Sequence, residues 1–155
     1  SMKEIGVMSG IIGTSSAFCA SFGAGFIVRR IGIFTARILF ACFILLTTLY
    51  FLGLVMLGTP TTAMLYGGIV LMWMSYGMAT IVVYTSAMEC VRPGREGTDF
   101  TVQTVLTHLS GIIMAGLSGA VADHFGYHGL FLAEVIIASI SLVYIILLFR
   151  KPHAA

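Results

Sequence analysis

Five long apolar segments follow one another along the chain, separated by short breaks that contain charged, Gly or Pro residues. The segments cover approximately residues 5–28, 33–57, 61–89, 98–122 and 128–149. About 20 apolar residues suffice for one helical membrane crossing. None of the segments shows the period-two alternation that is typical of membrane β-strands. The pattern predicts an all-α membrane protein with five transmembrane helices, in a single membrane domain over residues 1–155.

The breaks contain the residues expected at helix ends. Thr59 and Pro60 suit an N-cap and a first helical position, and Thr98 or Asp99 can cap the fourth helix. The breaks themselves fall at residues 29–32, 58–60, 91–97 and 123–129.

Composition excludes a soluble domain. Hydrophobic residues make up 59% of the chain and charged residues 9%, whereas soluble proteins contain about 25% charged residues. The net charge of +2 gives no basic patch for nucleic acid. Three cysteines lack the spacing of a metal site, so we expect free thiols, no metal and no cofactor. We find no enzyme constellation, and the first apolar run is too long for a signal peptide.

The basic residues predict the orientation in the membrane. With five crossings, seven of the eight Lys and Arg residues lie on one side, and only Lys3 lies on the other. Basic loops favour the cytoplasm. We therefore expect the N-terminus outside and the C-terminus in the cytoplasm. The seven residues on the cytoplasmic side are Arg29, Arg30, Arg37, Arg92, Arg95, Arg150 and Lys151.

Two stretches at an offset of 94 residues share one pattern. Residues 25–32 and 119–126 each read Gly, three small or apolar residues, a charged residue, a basic or His residue, an apolar residue and Gly. Three crossings separate them, so the two copies face opposite sides. Inverted three-helix repeats build several transporter folds. The third segment then has no repeat partner, and we expect one further helix upstream of Ser1.

The stretch from Gly25 to Gly32 resembles the loop motif G-x-x-x-D-R-x-G of the major facilitator superfamily, with Arg29 in the acidic position. The segment pattern is similar to helices 8–12 of that superfamily. The resemblance implies a fragment of a twelve-helix secondary transporter, completed by missing N-terminal helices. It also implies a midplane cavity lined by the first, third and fourth segments.

Residues 97–103, Gly-Thr-Asp-Phe-Thr-Val-Gln, resemble the start of helix 11 in bacterial siderophore-uptake permeases of the rhizobactin and pyochelin type. The resemblance implies proton-coupled uptake of a ferric siderophore across the inner membrane. Muropeptide and acetyl-CoA permeases, and exporters of drugs or siderophores, stay open as alternatives. A membrane accessory subunit that transports nothing is the alternative of another class.

Two polar stripes carry the candidate binding residues. On the third segment, Trp73, Tyr76, Thr80 and Tyr84 fall within one arc at helical spacing. On the fourth, Thr104, Thr107 and His108 form a narrow polar face that Gln103 adjoins. Aromatic side chains usually belong at membrane interfaces, so their mid-span position indicates either a solute site or helix packing.

Three residues are candidates for proton coupling. His108 lies inside the bilayer, where a titratable group indicates function. Asp99 can alternatively serve as a helix cap. Glu89 can alternatively form a salt bridge at the cytoplasmic rim, beside Arg92. Glu134, near the external end of the last segment, is expected to extend toward His128 or water.

The first segment carries a continuous face of small residues, which predicts close helix packing. This face consists of Gly6, Gly10, Gly13, Ala17, Ala20 and Ala24.

Overall fold

The computed structural model describes residues 2–148, and this part of the chain contains no β-strand. Four helices in it are long and apolar enough to cross a membrane. The prediction of an all-α membrane protein is therefore confirmed. The elements are α1 (Met2–Val7), a π-helical turn (Met8–Gly13), α2 (Thr14–Ile31), α3 (Ile33–Leu57), α4 (Thr62–Glu89) and α5 (Glu96–Leu148).

Helix α5 contains both of the last two predicted segments and is interrupted at Gly126, where φ is 69° and ψ is 178°. A straight helix of 53 residues would reach about 80 Å, far more than the roughly 30 Å of a bilayer core. The chain instead turns back at Gly126. The reversal is shown by Ile145, which follows the turn and lines the same cavity as Gln103 and Thr107, which precede it. The result is two antiparallel arms, residues 96–125 and 127–148.

The two sequence copies end in similar backbone geometry. Gly32 separates α2 from α3 with φ 82° and ψ 157°, close to the values at Gly126. Positive φ is accessible to glycine at little steric cost. The last Gly of each copy is thus a chain-reversing residue between two long helices.

The predicted small-residue face forms a seam with α4 over part of its length. Gly13, Ala20 and Ala24 are buried, and Gly13 lies against the indole of Trp73. Ser21 donates hydrogen bonds to the carbonyl oxygens of Ala17 at 2.8 Å and Gly77 at 3.2 Å. In lipid, close backbone approach gives dispersion contacts that replace the missing hydrophobic drive.

The seam extends to α3 through both apolar and polar contacts. Ala24 packs in one buried cluster with Ala36 and Phe40 of α3. Between α3 and α4, the buried hydroxyls of Thr47 and Ser75 lie 2.8 Å apart. Because both hydroxyls are satisfied, they can cross-link the helices within an apolar interior.

Replacing Gly77 by Ala is expected to destabilise this seam. An added Cβ would lie 2.5 Å from the carbonyl oxygen of Ala17 and 2.9 Å from the hydroxyl oxygen of Ser21. Backbone cannot move aside as a flexible side chain does, so we expect a loss of about 3 kcal/mol, as in overpacked cores. Reversible unfolding in detergent measures the change.

Gly67→Ala is the matched control on the same helix, since its Cβ would meet only the Tyr50 hydroxyl, at 3.5 Å. Alanine favours a helix over glycine by up to about 1 kcal/mol, so this variant should be neutral or more stable. Equal unfolding free energies for the two variants would contradict the close approach at Gly77.

Candidate functional site

A cleft opens between α4 and the first arm of α5, with a volume of about 490 Å³. We call it the candidate cleft. Tyr76, Thr80 and Tyr84 follow one another at intervals of four residues, which places them on one face of α4. The opposite wall comes from α5. The cleft is lined by Tyr76, Ala79, Thr80, Val83, Tyr84, Thr107, His108, Gly111, Ile112 and Ala115.

The polar groups of the candidate cleft are largely uncommitted. The Thr80 hydroxyl donates to the backbone carbonyl of Tyr76 at 2.8 Å, and the Thr107 hydroxyl donates to that of Gln103 at 2.9 Å. Both hydroxyl oxygens can still accept a hydrogen bond. Within residues 4–148, the phenol hydroxyls of Tyr76 and Tyr84 and the His108 ring make no hydrogen bond to protein. A solute in the cleft would therefore find donors, acceptors and aromatic faces.

Neighbouring rings help to position the two tyrosines. The Tyr84 ring lies 6.0 Å from that of Phe100, centroid to centroid, and the Tyr76 ring lies edge-on to Trp73 at 5.9 Å. Such tilted and edge contacts favour defined ring orientations. Phe100 was not among the predicted site residues, although it directly follows Asp99 on the predicted fourth segment.

Three predicted binding residues lie outside the lining of the candidate cleft. Trp73 lies against Gly13, and its indole nitrogen is buried without a hydrogen-bond partner among the described residues. The hydroxyl of Thr104 is also buried without a hydrogen-bond partner among the described residues. Gln103 lines a neighbouring cavity instead. Five of the eight predicted binding residues, Tyr76, Thr80, Tyr84, Thr107 and His108, therefore meet in the cleft.

The neighbouring cavity, of about 410 Å³ between α3, α4 and α5, contains Arg37 together with Gln103 and Thr107. The guanidinium of Arg37 donates to the Ser86 hydroxyl from Nε at 3.0 Å and from Nη2 at 2.7 Å. Sequence reasoning used Arg37 only for orientation. The signal for a further role is its position as the one charged residue inside the second predicted segment.

Glu89 has a different partner from the one predicted. The sequence indicates a rim position beside Arg92, but the carboxylate of Glu89 lies 3.7 Å from Nη2 of Arg37. The Arg37 side chain is 14% exposed and that of Glu89 is 52% exposed, so the arginine is the member of the pair that needs a counter-charge. Packing of α3 on α4 joins residues that are 52 positions apart.

Asp99 forms a two-point ion pair with Arg92. Nε and Nη2 of Arg92 each donate to a carboxylate oxygen at 2.8 Å, and the backbone N–H of Arg92 donates at 3.2 Å. The side-chain hydrogen bond to Asp99 raises the pKa of the Arg92 guanidinium above its usual value. The predicted cap at Thr98 or Asp99 is wrong, because α5 already begins at Glu96.

Comparison with known proteins agrees with this architecture. Long apolar helices with a polar cleft between two of them define a multi-pass membrane protein. The sequence model of the Major Facilitator Superfamily matches residues 1–155. The chain therefore belongs to the Major Facilitator Superfamily, whose members are secondary transporters rather than enzymes. No solved structure matches the chain.

Proposed function

We propose that the chain forms part of a proton-coupled transporter that takes up a ferric siderophore, or a similar mid-sized organic solute, across the bacterial inner membrane. The observation that carries this proposal is the candidate cleft, which combines two tyrosines, two threonines and one imidazole between two membrane-spanning helices. Its volume of about 490 Å³ is within the range of small-molecule sites, roughly 300–1,000 Å³.

The chemistry of the candidate cleft suits a solute with both aromatic and oxygen-rich parts. The faces of Tyr76 and Tyr84 can stack on a flat group, and their hydroxyls can donate to carbonyl or phenolate oxygens. The hydroxyl oxygens of Thr80 and Thr107 can accept from a solute N–H or O–H. We propose that further helices of the same transporter supply the facing wall.

His108 is the group we assign to proton coupling. A neutral imidazole can take up a proton near neutral pH, and His108 lies in the wall of the candidate cleft. Asp99 and Glu89 are weaker choices, because each carboxylate already faces an arginine. Protonating either one would cost its ion pair, so coupling through them needs a larger rearrangement.

We place the N-terminus outside the cell and the C-terminus in the cytoplasm. The contact between Arg37 and Glu89 supports this, because it brings the start of α3 and the end of α4 to one side of the bundle. Arg29, Arg30 and Arg92 then share that side, as basic residues do in cytoplasmic loops. Arg150 and Lys151 lie outside the described residues, and the side chain of Lys3 does too.

Removing one tyrosine hydroxyl tests solute binding in the candidate cleft. In Tyr76→Phe and Tyr84→Phe, the lost hydrogen bond of about 1 kcal/mol should weaken apparent affinity about fivefold. The pH dependence should stay unchanged, because we assign these hydroxyls to solute binding and His108 to proton coupling. Uptake of iron-labelled siderophores into cells that produce each variant of the full transporter measures the apparent affinity and the pH dependence.

Tyr127→Phe is the control, since this tyrosine is 71% exposed beside the turn at Gly126 and outside the candidate cleft. Equal affinity in all three variants would contradict binding by the cleft. Accumulation outside the cells instead of inside would support the exporter alternative.

A further inference from the structure

Glu134 lies in a cavity that shares no lining residue with the candidate cleft. This cavity, of about 330 Å³, is lined by residues of α3 and of both arms of α5, among them Ala41, Thr48, Met114 and Ser141. Met114, which the first arm contributes to this cavity, is not part of the lining of the candidate cleft. Glu134 is eight residues beyond Gly126, about 12 Å along the helix axis.

The carboxyl group of Glu134 has no partner among the described residues. No hydrogen bond or ion pair joins it to any side chain or backbone group in residues 4–148. Of the two partners that we expected, His128 or water, His128 makes no hydrogen bond or ion pair with it; the side chain lines a cavity that α3 also lines. Thr48, the hydroxyl-bearing residue that α3 contributes to the lining, already donates to the Leu45 carbonyl at 2.9 Å.

No counter-charge lines the cavity either. Glu134 is the one carboxyl or basic residue among its lining residues, which all lie in the described part of the chain. The other ionisable side chains on the two elements that enclose it line other cavities or none. They are Arg37, Cys42 and Tyr50 on α3, and Glu96, Asp99, His108, Asp123, His124, Tyr127, His128 and Tyr144 on α5.

An unpaired carboxylate inside a bilayer is unfavourable, since it loses water and gains no cation. Burial favours the neutral form of a carboxylic acid, which also supplies an O–H that can donate. We propose that Glu134 is a proton-binding site, in which the carboxylate takes one proton from water and stays a neutral carboxylic acid at neutral pH. This site is distinct from the candidate cleft and from His108.

A proton could reach Glu134 along the groove between α3 and α5. Its cavity shares Ala41, Ile44 and Ile145 with the cavity of Arg37. That second cavity continues to the first turns of α3, at Arg37, and to the last turn of α4, where it is lined by Ser86 and Cys90. The inference concerns the resting protonation of one carboxyl and therefore holds whichever solute is transported.

Infrared spectroscopy of the full chain in liposomes tests the protonation state directly. The difference spectrum between wild type and Glu134→Gln at about pH 7 should show the loss of one protonated C=O band. Glu96→Gln is the matched control, because Glu96 is exposed and accepts from the Gly94 N–H at 2.8 Å. It should lose a carboxylate band. At pH 7 an ordinary glutamate is protonated in only about one molecule in 500.

A second measurement uses the wild-type protein alone, so it does not depend on whether Glu134→Gln folds. Dicyclohexylcarbodiimide is apolar and reacts with protonated carboxyls. The acid O–H adds across one C=N bond, and the adduct rearranges to a stable N-acylurea with no group lost. Peptide mass spectrometry should find the adduct on Glu134 and not on Glu96 at about pH 7.

Labelling of Glu134 should also decline as the pH is raised well above neutrality. The proposal is overturned if Glu134→Gln removes a carboxylate band at neutral pH, or if Glu134 carries no adduct there.

Discussion

His108→Gln should abolish uphill accumulation of solute by the full transporter while counterflow of bound solute continues. Glutamine keeps a hydrogen-bonding side chain of similar size but cannot take up a proton near neutral pH. If His108 carries the coupled proton, binding survives and the pH gradient no longer drives transport. Paired measurements of gradient-driven uptake and of exchange at equal pH separate these two activities.

His128→Gln is the control for this experiment, since His128 is exposed beside the turn at Gly126. It should accumulate solute normally. A His108→Gln protein that still accumulates solute, with affinity weakened by about 1–3 kcal/mol, would assign His108 to binding alone. Normal uptake and a normal pH profile would show that the polar face of the first α5 arm serves packing.

Positions on one helix face could be predicted from the sequence because helical geometry fixes them. Tyr76, Thr80 and Tyr84 are four residues apart, and any α-helix through them aligns their side chains. The same reasoning aligns Thr107 and His108 with Gly111. Which helices face each other depends on packing between distant parts of the chain, and the sequence pattern alone does not specify it.

Trp73 shows where this reasoning ends. It lies well inside the arc that contains Tyr76, so helical spacing does not exclude it from the cleft; the absent side chain of Gly13 leaves room for the indole against α2. A large apolar ring gains more contact there than in an open cleft. The contact between Trp73 and Gly13 depends on how closely α2 approaches α4, and the composition of the two helices does not reveal that distance.

The ion pairs also divide into one that joins residues close in sequence and one that depends on packing between helices. Arg92 and Asp99 are seven residues apart across one turn, and the sequence alone places both at the same end of the bundle. Glu89 pairs with Arg37 rather than Arg92, because α3 packs beside α4 and supplies a buried guanidinium. By contrast, the chain reversals at Gly32 and Gly126 could be located from the repeat, since glycine readily adopts positive φ.

Gly111→Trp is expected to reduce both binding and uptake to background. Gly111 lies in the wall of the candidate cleft opposite α4, and a Cβ at this position would meet no atom within 4 Å. The indole would therefore enter the cleft and occupy part of its volume of about 490 Å³, between the α4 and α5 walls. A solute can then enter only by displacing a ring that is packed between two helices. Equilibrium binding of an iron-labelled siderophore to the purified full chain measures the loss.

Gly116→Trp is the matched control, because it adds the same side chain to the same arm at a glycine that also has no atom within 4 Å of its Cβ. Gly116 is not part of the cleft lining, so binding and uptake should remain near the wild-type level. Both variants should unfold at similar denaturant concentrations, since neither substitution compresses backbone against backbone. Retained binding in Gly111→Trp, or equal loss in both variants, would mean that solute binds elsewhere and that the stripe from Tyr76 to Tyr84 is a packing face.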